Sequence, residues 1–279
     1  MERRSFLGAG VAVGGWSGMA SAAAPPLPPF EIGRVAEGVW SVIANPMVIG
    51  NCNGAVFELS DGLVVVDTHA RPSASAWVLG EIRKQTKKPV KYVVLTHIHG
   101  DHVQGMATYL KLSPRPVFVT HAATRKRMVE GGNPVPGIVS GAEKALAAAE
   151  AQLAKASGEE KDFLTRSVAE RKTFLAEMKT AVMEAPGVSV SRDFVIHDRM
   201  GDVHVMFRGM GHTDGDVCVY SPQKKVIATG DLAVSTTPFI NQWLYHWPRT
   251  LNGFATECDF ETVIPGHGAV QKGRERFLQ

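Results

Sequence analysis

Six consecutive residues of this sequence concentrate side chains that bind metal ions. Residues 97–102 read HIHGDH, so two histidines stand one residue apart, and an adjacent aspartate and histidine follow a glycine. In an extended loop, His97 and His99 point the same way and can bind one cation, while Asp101 and His102 can face a second. Imidazole and carboxylate groups are ligands of zinc, which activates water for hydrolysis. The segment therefore predicts a metal site that catalyses hydrolysis.

Three more residues of ligand type lie farther along the chain, each in a glycine-flanked turn after a predicted strand. They are His212 after Val203–Phe207, Asp231 after Val226–Ala228 and His267 after Thr262–Ile264. The apolar, β-branched run Val90–Leu95 likewise predicts a buried strand that leads into His97. Loops at strand ends commonly carry functional groups on a rigid scaffold. We therefore expect these side chains to converge.

The remaining pattern alternates short strands with helices. Further strands are predicted at residues 55–59, 63–66, 117–119 and 217–220. Apolar residues at helical spacing predict a helix after Pro72. Residues 141–183 are rich in Ala, Glu, Lys and Leu, with apolar residues at helical spacing. We interpret this segment as two helices that form a hairpin interrupted at Gly158.

This ordered set of residues resembles the metallo-β-lactamase superfamily. The HIHGDH run, followed in order by His212, Asp231 and His267, is the specific part of a resemblance that covers roughly residues 30–268. Asp67 also matches, because family members carry an aspartate at the end of an early strand, where it supports the site. The resemblance implies an α+β fold of four layers, an αββα sandwich of two face-to-face sheets. Residues 141–183 would be an inserted helical hairpin.

The resemblance also implies a role for each ligand residue. The first metal is held by three histidines, His97, His99 and His212. The second metal is held by Asp101, His102 and His267, and Asp231 bridges the two ions. A water or hydroxide takes the remaining bridging position, where Asp101 can orient it and relay a proton to the leaving group. The other histidines, which have no such support, are expected to be structural: His69, His121, His197, His204 and His246.

These roles predict a zinc-dependent hydrolase with two Zn²⁺ ions per chain. A metal-bridging hydroxide would attack a carboxyl derivative, which is a thioester, lactone, lactam or ester. The bridging aspartate resembles glyoxalase II and lactonases more than the histidine-rich β-lactamases, which makes a lactam the less favoured substrate. The alternative is a mononuclear non-haem iron enzyme similar to the persulfide dioxygenases. A non-enzymatic metal-binding protein is disfavoured because all seven ligand positions are retained.

Composition limits the other possibilities. The 279 residues suit one sizeable domain, and 44% hydrophobic and 20% charged residues are typical of a globular protein. The net charge of +3 gives no reason to expect nucleic acid, and no run of 18 apolar residues predicts a membrane-spanning helix. We therefore expect a small-molecule substrate, while the oligomeric state stays open. Cys52, Cys218 and Cys258 fit no zinc or redox motif and are expected to be small buried hydrophobic residues.

Residues 1–24 predict an export signal that precedes the domain at residues 25–279. Arg3 and Arg4 form a twin arginine, a weakly apolar stretch follows, and residues 20–22 match a small-x-small cleavage site. This order of features resembles a twin-arginine (Tat) signal peptide, which directs folded proteins to the bacterial periplasm. We expect a mature periplasmic protein without stable membrane insertion after the signal is cleaved.

Overall fold

A computed structural model of the chain describes residues 28–46, 48, 51–236 and 243–277. The export signal predicted at residues 1–24 lies outside these described residues. Within them, the chain forms two β-sheets that pack face to face, with helices against the outer side of each sheet. Among the described helices, none combines the length and the apolar character needed to cross a bilayer.

The first sheet contains seven strands that are neighbours in chain order. They are β1 (Phe30–Ala36), β2 (Val39–Ala44), β3 (Gly54–Glu58), β4 (Leu63–Val66), β5 (Val90–Val94), β6 (Val117–His121) and β7 (Val188–Val190). The strands from β1 to β4 pair antiparallel, and those from β4 to β7 pair in parallel. Parallel neighbours need long crossover connections, and helices occupy these crossovers.

The second sheet contains six strands in the order β13-β12-β11-β10-β9-β8. They are β8 (Asp193–Ile196), β9 (Val203–Met206), β10 (Cys218–Ser221), β11 (Val226–Gly230), β12 (Thr262–Pro265) and β13 (Gln271–Lys272). All neighbours pair antiparallel except β11 and β12, which are parallel. The loops that follow β11 and β12 therefore leave the sheet at the same edge.

The helices lie mainly in the crossovers of the first sheet and near the end of the chain. They are α1 (Pro72–Gln85), α2 (Gly100–Val103), α3 (Ala107–Leu110), α4 (Ala122–Glu130), α5 (Val135–Leu153), α6 (Gly158–Met178), α7 (Trp247–Glu257) and α8 (Arg274–Phe277). A 3-10 turn at Gln104–Met106 joins α2 to α3.

Three apolar layers hold the sheets and helices together. The central layer lies between the sheets and combines side chains such as Phe57 and Val94 from the first sheet with Val205 and Val219 from the second. One outer layer packs α1 and α3 against the first sheet, and the other packs α7 and α8 against the second sheet. The αββα sandwich that the sequence predicted is therefore confirmed. The three cysteines are buried and unpaired, as predicted.

The predicted helical hairpin is present, although its bounds differ from residues 141–183. It is formed by α5 and α6, so it begins at Val135 and ends at Met178. The earlier start follows from Pro136, which suits the first turn of a helix because proline lacks an N–H that this turn would leave unpaired. Gly158 has a φ of +58° and begins α6.

Two polar contacts fix α6 against the start of α1. The Arg71 guanidinium lies 2.7 Å from the Glu170 carboxylate. The backbone N–H and the hydroxyl of Ser73 donate to Glu177 at 2.8 and 2.6 Å. The hairpin is therefore anchored beside the loop that precedes α1, and α6 holds a defined position on the sandwich.

The central layer should dominate the stability of the sandwich. Phe57 is 1% exposed between the sheets, so truncation to alanine leaves a cavity that its neighbours fill only in part. We expect Phe57→Ala to lower the free energy of unfolding by about 3–5 kcal/mol in chemical denaturation. Phe163, which is 56% exposed on α6, is the matched control. Phe163→Ala should change the free energy of unfolding by less than about 0.5 kcal/mol. Equal losses for the two variants would contradict a core between the sheets.

Candidate metal centre

The seven predicted ligand residues converge at one edge of the sandwich, on loops and short helices that follow strands. His97 and His99 follow β5, Asp101 and His102 lie in α2, and His212, Asp231 and His267 follow β9, β11 and β12. The chain begins α2 at Gly100 directly after His99. This helical turn separates the two histidines from Asp101 and His102 without a left-handed backbone at the glycine.

One cluster of ligand atoms faces the Oδ2 atom of Asp231. This oxygen lies 3.2 Å from Nε2 of His212 and 3.9 Å from Nε2 of His97. Nδ1 of His99 lies 2.8 Å from Nε2 of His212. One ligand atom from each of these four residues lies within 4.8 Å of the others. Three imidazole nitrogens and a carboxylate oxygen thus surround a space of metal-site dimensions.

A second cluster faces the other oxygen of the same carboxylate. Oδ1 of Asp231 lies 3.2 Å from Nε2 of His102 and 3.5 Å from Nε2 of His267. Oδ2 of Asp101 lies 3.2 Å from Nε2 of His267 and 3.6 Å from Nε2 of His102. Asp101, His102 and His267 again meet the dimensions of a metal site. Asp231 therefore lies between two ligand clusters and directs one oxygen to each.

The polar atoms at the centre of this arrangement are suited to a cation. His97 and His102 are fully buried, and Asp231 is 8% exposed. Among the described residues, Nε2 of both histidines and Oδ1 of Asp231 lack a hydrogen bond of acceptable geometry. Folded proteins seldom leave buried polar atoms unpaired, because the loss of hydration is costly. Lone pairs that point into a shared buried space fit metal ligands.

Burial and neighbouring charges set the protonation states of the metal-free cluster. Burial lowers the pKa of His97 well below its ordinary value, so its imidazole is neutral. Burial alone would raise the pKa of Asp231, but the close approach of His102 and His267 outweighs burial and holds the pKa below its ordinary value. Although burial opposes it, neighbouring acidic groups raise the pKa of His102, and Asp101 and Asp231 raise that of His267 to about 9. A cation bound here would displace a proton from each of these two imidazoles.

Hydrogen bonds behind the cluster set which ring nitrogen faces the centre. Nδ1 of His102 donates to Oδ2 of Asp67 at 2.7 Å. Thr96 donates to the same carboxylate through its N–H at 2.8 Å and its hydroxyl at 2.9 Å, so its hydroxyl oxygen accepts from Nδ1 of His97 at 3.0 Å. Both rings therefore direct an Nδ1 proton away from the centre and leave Nε2 as the nitrogen that would bind a metal. The Asp67 carboxylate therefore lies behind the cluster, at the supporting position that the sequence predicted.

Cys52, Asp67 and His102 form a third group of residues that can bind metal, and this group shares His102 with the second cluster. Burial raises the pKa of the Cys52 thiol to about 12, so the sulfur stays protonated and is a poor metal ligand. Both oxygens of Asp67 already accept hydrogen bonds, and Nδ1 of His69 donates to the backbone carbonyl of Cys52 at 3.1 Å. Cys52 and Asp67 therefore support the cluster from behind, and His69 lies in this supporting layer.

Close backbone approaches at two glycines allow the loops to meet. A side chain at Gly266 would collide with Oδ1 of Asp231. Gly230 has a φ of +51°, and a Cβ atom there would lie 2.5 Å from Oγ1 of Thr96. The amide of Asn53 donates to the carbonyls of Pro265 and Gly268 at 2.9 and 2.7 Å, which holds the loop that carries His267.

The loop that carries His212 is held by an acidic residue. Asp216 accepts hydrogen bonds from the backbone N–H and the hydroxyl of Thr213 at 2.7 and 2.6 Å. Asp214 instead forms an ion pair with Arg127 at 2.8 Å. Neither carboxylate belongs to a cluster of ligand atoms among the described residues.

Thr96 and Asn53 could not be predicted from the sequence as supporting residues, because their hydrogen bonds join them to residues distant in the chain.

A cleft of about 250 Å³ opens beside Asp101. Its walls come from the start of α1, from Gln104 and from one face of α6, and its lining residues are Ala70, Arg71, Asp101, Gln104, Glu170, Arg171 and Phe174. The inserted hairpin therefore borders the cleft beside Asp101.

Comparisons with known proteins identify the family to which the chain belongs. The sequence profile of the metallo-beta-lactamase superfamily matches residues 48–267. A metallo-beta-lactamase type 2 of Bacillus cereus is 24% identical over 229 residues, which cover 78% of this chain and 67% of that protein. A shorter match, 40% identical over 55 residues, covers 20% of this chain and 10% of a linear primary-alkylsulfatase of a Pseudomonas species.

Solved structures share the fold. A metallo-beta-lactamase from Pontibacter korlensis superposes with a TM-score of 0.59 at 20% identity, covering 89% of this chain and 97% of that one. The metallo-beta-lactamase FIM-1 from Pseudomonas aeruginosa was solved in a mono-zinc form. It superposes with a TM-score of 0.60 at 18% identity, covering 89% of this chain and 92% of that one. Because the profile matches most of its length, the chain belongs to the metallo-beta-lactamase superfamily of metallo-hydrolases.

Proposed function

We propose that this enzyme is a hydrolase with two Zn²⁺ ions, which acts on a carboxyl derivative of a small molecule. The observation that carries the proposal is the position of Asp231. Its Oδ2 faces His97, His99 and His212, while its Oδ1 faces His102 and His267. A buried carboxylate with one oxygen toward each of two ligand clusters is suited to bridging two cations.

The ligand assignment follows from these clusters. His97, His99 and His212 would hold the first ion and Asp101, His102 and His267 the second, with Asp231 placed between them. Bound there, two zinc ions activate water near neutral pH and polarise the carbonyl group under attack.

The protein's own residues have distinct tasks in this reaction. Asp67 and Thr96 fix the tautomers of His102 and His97, so that both Nε2 atoms stay available as ligands. The Asp101 side chain is 30% exposed and borders the cleft, whereas Asp231 is largely buried. Asp101 is therefore the carboxylate placed to orient water and to pass a proton to the leaving group.

The bridging aspartate favours thioesters, lactones and esters as substrates. The relative from Bacillus cereus bears the name of a beta-lactamase, which supports keeping a lactam in the test panel. Metal analysis of the purified protein, followed by assays with a thioester, a lactone, an ester and a lactam, tests the proposal. Two zinc ions per chain with hydrolysis of a panel member is the expected result. A single iron with oxygen-dependent oxidation of a persulfide would instead establish the mononuclear dioxygenase alternative.

Asp231 should control the second metal. In Asp231→Ala, the three histidines of the first cluster remain, but the second cluster keeps a single carboxylate to offset the charge of its ion. We expect zinc content to fall from about two ions to about one per chain and hydrolysis to fall by about 10²-fold or more. Excess zinc should restore both in part.

Asp61→Ala is the matched control, because Asp61 is an exposed carboxylate paired with Lys91 far from the centre. It should retain two zinc ions and normal turnover. If Asp231→Ala also kept two tightly bound ions and normal turnover, the bridged arrangement would be wrong.

Asp67 should control metal affinity without touching the metal. Asparagine tolerates the left-handed backbone at this position, where φ is +64°, so Asp67→Asn preserves the turn while removing a charged acceptor from Nδ1 of His102. We expect zinc affinity to fall by about 10- to 100-fold, measured by competition with a chelator. Asp61→Asn should leave it unchanged. Equal affinity in both variants would show that the hydrogen bond to His102 does not support the site.

We propose in addition that residues 1–24 direct export to the periplasm through the Tat pathway. The twin arginine is the part of the signal that its receptor reads. Replacing Arg3 and Arg4 with lysine should therefore leave precursor in the cytoplasm of a bacterial host, measured by fractionation and immunoblotting. Normal export of this double variant would remove the Tat assignment.

A further inference from the structure

The cleft beside Asp101 contains a positive charge that no carboxylate of the described residues offsets. We propose that Arg171, on the inserted hairpin, binds a carboxylate group of the substrate. This inference rests on the proposed function, because it names the substrate class of the same site. The substrate would be a thioester, ester or lactone that also carries a free carboxylate.

Arg171 is half-buried on α6, and it faces the cleft with Phe174 and Asp101. Its Nε atom is shielded from solvent and has no hydrogen-bond partner among the described residues. No described carboxylate lies within ion-pair distance of its guanidinium, whereas its neighbours Glu170 and Lys172 both have partners. Buried polar nitrogens are normally hydrogen-bonded, so this Nε is available to a ligand in the cleft.

The other charges of the cleft are already offset. Glu170 lies 2.7 Å from Arg71, so this pair contributes no net charge. The Asp101 carboxylate faces Nε2 of His267 and His102, at 3.2 and 3.6 Å, so the proposed second zinc ion would offset its charge. The guanidinium of Arg171 therefore remains as the uncompensated charge among the lining residues, and the cleft favours an anionic ligand.

Size and chemistry narrow the ligand further. The cleft of about 250 Å³ has room for a small organic group. Ala70 and Phe174 supply apolar surface, and Gln104 supplies a neutral amide. A guanidinium pairs with a carboxylate through two parallel hydrogen bonds, which a neutral amide cannot reproduce. These features fit a carboxylate on a short apolar or aromatic group.

The anchoring of α6 makes Arg171 a defined binding residue. Glu170 and Glu177, one residue before and six residues after Arg171, tie α6 to Arg71 and Ser73 at the start of α1. A binding group held on a fixed helix loses little entropy when the ligand binds. The hairpin thus supplies a specificity element that lies outside the metal cluster.

Calorimetric titration of the zinc-loaded protein tests this inference without requiring turnover. The probes are 4-acetamidobenzoate and its neutral isostere 4-acetamidobenzamide. The wild-type protein should bind the carboxylate about tenfold more tightly or better, in line with a charge-assisted hydrogen-bonded pair. In Arg171→Gln the two Kd values should converge. Arg171→Lys, which keeps the charge and loses the paired geometry, should retain an intermediate preference.

Arg166→Gln is the matched control, because Arg166 is an exposed arginine on the same helix and does not line this cleft. It should keep the full preference for the carboxylate. Equal binding of the two probes to the wild-type protein would overturn the inference. So would a preference that persists in Arg171→Gln, because the carboxylate would then bind elsewhere, such as at the metal centre. Thermal unfolding and zinc content of each variant identify any loss of fold.

A parallel assay separates this inference from the proposed function. The substrates are 4-(acetylsulfanyl)benzoate and 4-(acetylsulfanyl)benzamide, whose hydrolysis releases a thiolate that absorbs light. We expect the carboxylate to have the higher kcat/KM in the wild-type protein and in Arg166→Gln, but not in Arg171→Gln. A preference in binding without any hydrolysis of a carboxyl derivative would overturn the proposed function and leave the carboxylate site standing.

Discussion

The site is built around the carboxylate of Asp231, where the fold buries many ligand atoms together. Five imidazoles and two carboxylates meet where the two sheets end, and several of their polar atoms are shielded from water. Such atoms destabilise a fold unless they find partners. Hydrogen bonds to Asp67 and Thr96 satisfy the outer ring nitrogens of His102 and His97, while the inner nitrogens and Oδ1 of Asp231 point to the shared space. Cations bound there would complete the pairing.

The sandwich places these atoms by ending its strands at a common edge. Parallel neighbours in each sheet, β4 with β5 and β11 with β12, deliver Asp67, His97, Asp231 and His267 to adjacent loops. The glycine at 266 lets the last two of these loops approach closely. The hairpin of α5 and α6 carries none of the seven ligand residues, and α6 borders the cleft beside Asp101.

Local patterns predicted the cluster well because its ligands lie in short motifs at strand ends. The HIHGDH run and the order of the later ligands were sufficient to predict which side chains meet. The strands β1 and β2 were missed, although VWSVIA in β2 is strongly apolar. The position of Arg171 beside Asp101 could not be predicted, because these two residues are far apart in the chain. They line the same cleft only because α6 is held against the start of α1.

The central claim is that Asp231 bridges two cations. Anomalous diffraction at the zinc absorption edge, from crystals of the zinc-loaded protein, tests it directly. We expect two anomalous peaks about 3.5–4 Å apart, as in other two-metal sites. One peak should lie among His97, His99 and His212, the other among Asp101, His102 and His267, with one oxygen of Asp231 at bonding distance from each. A single peak at full zinc loading, or two peaks without Asp231 as a ligand, would contradict it.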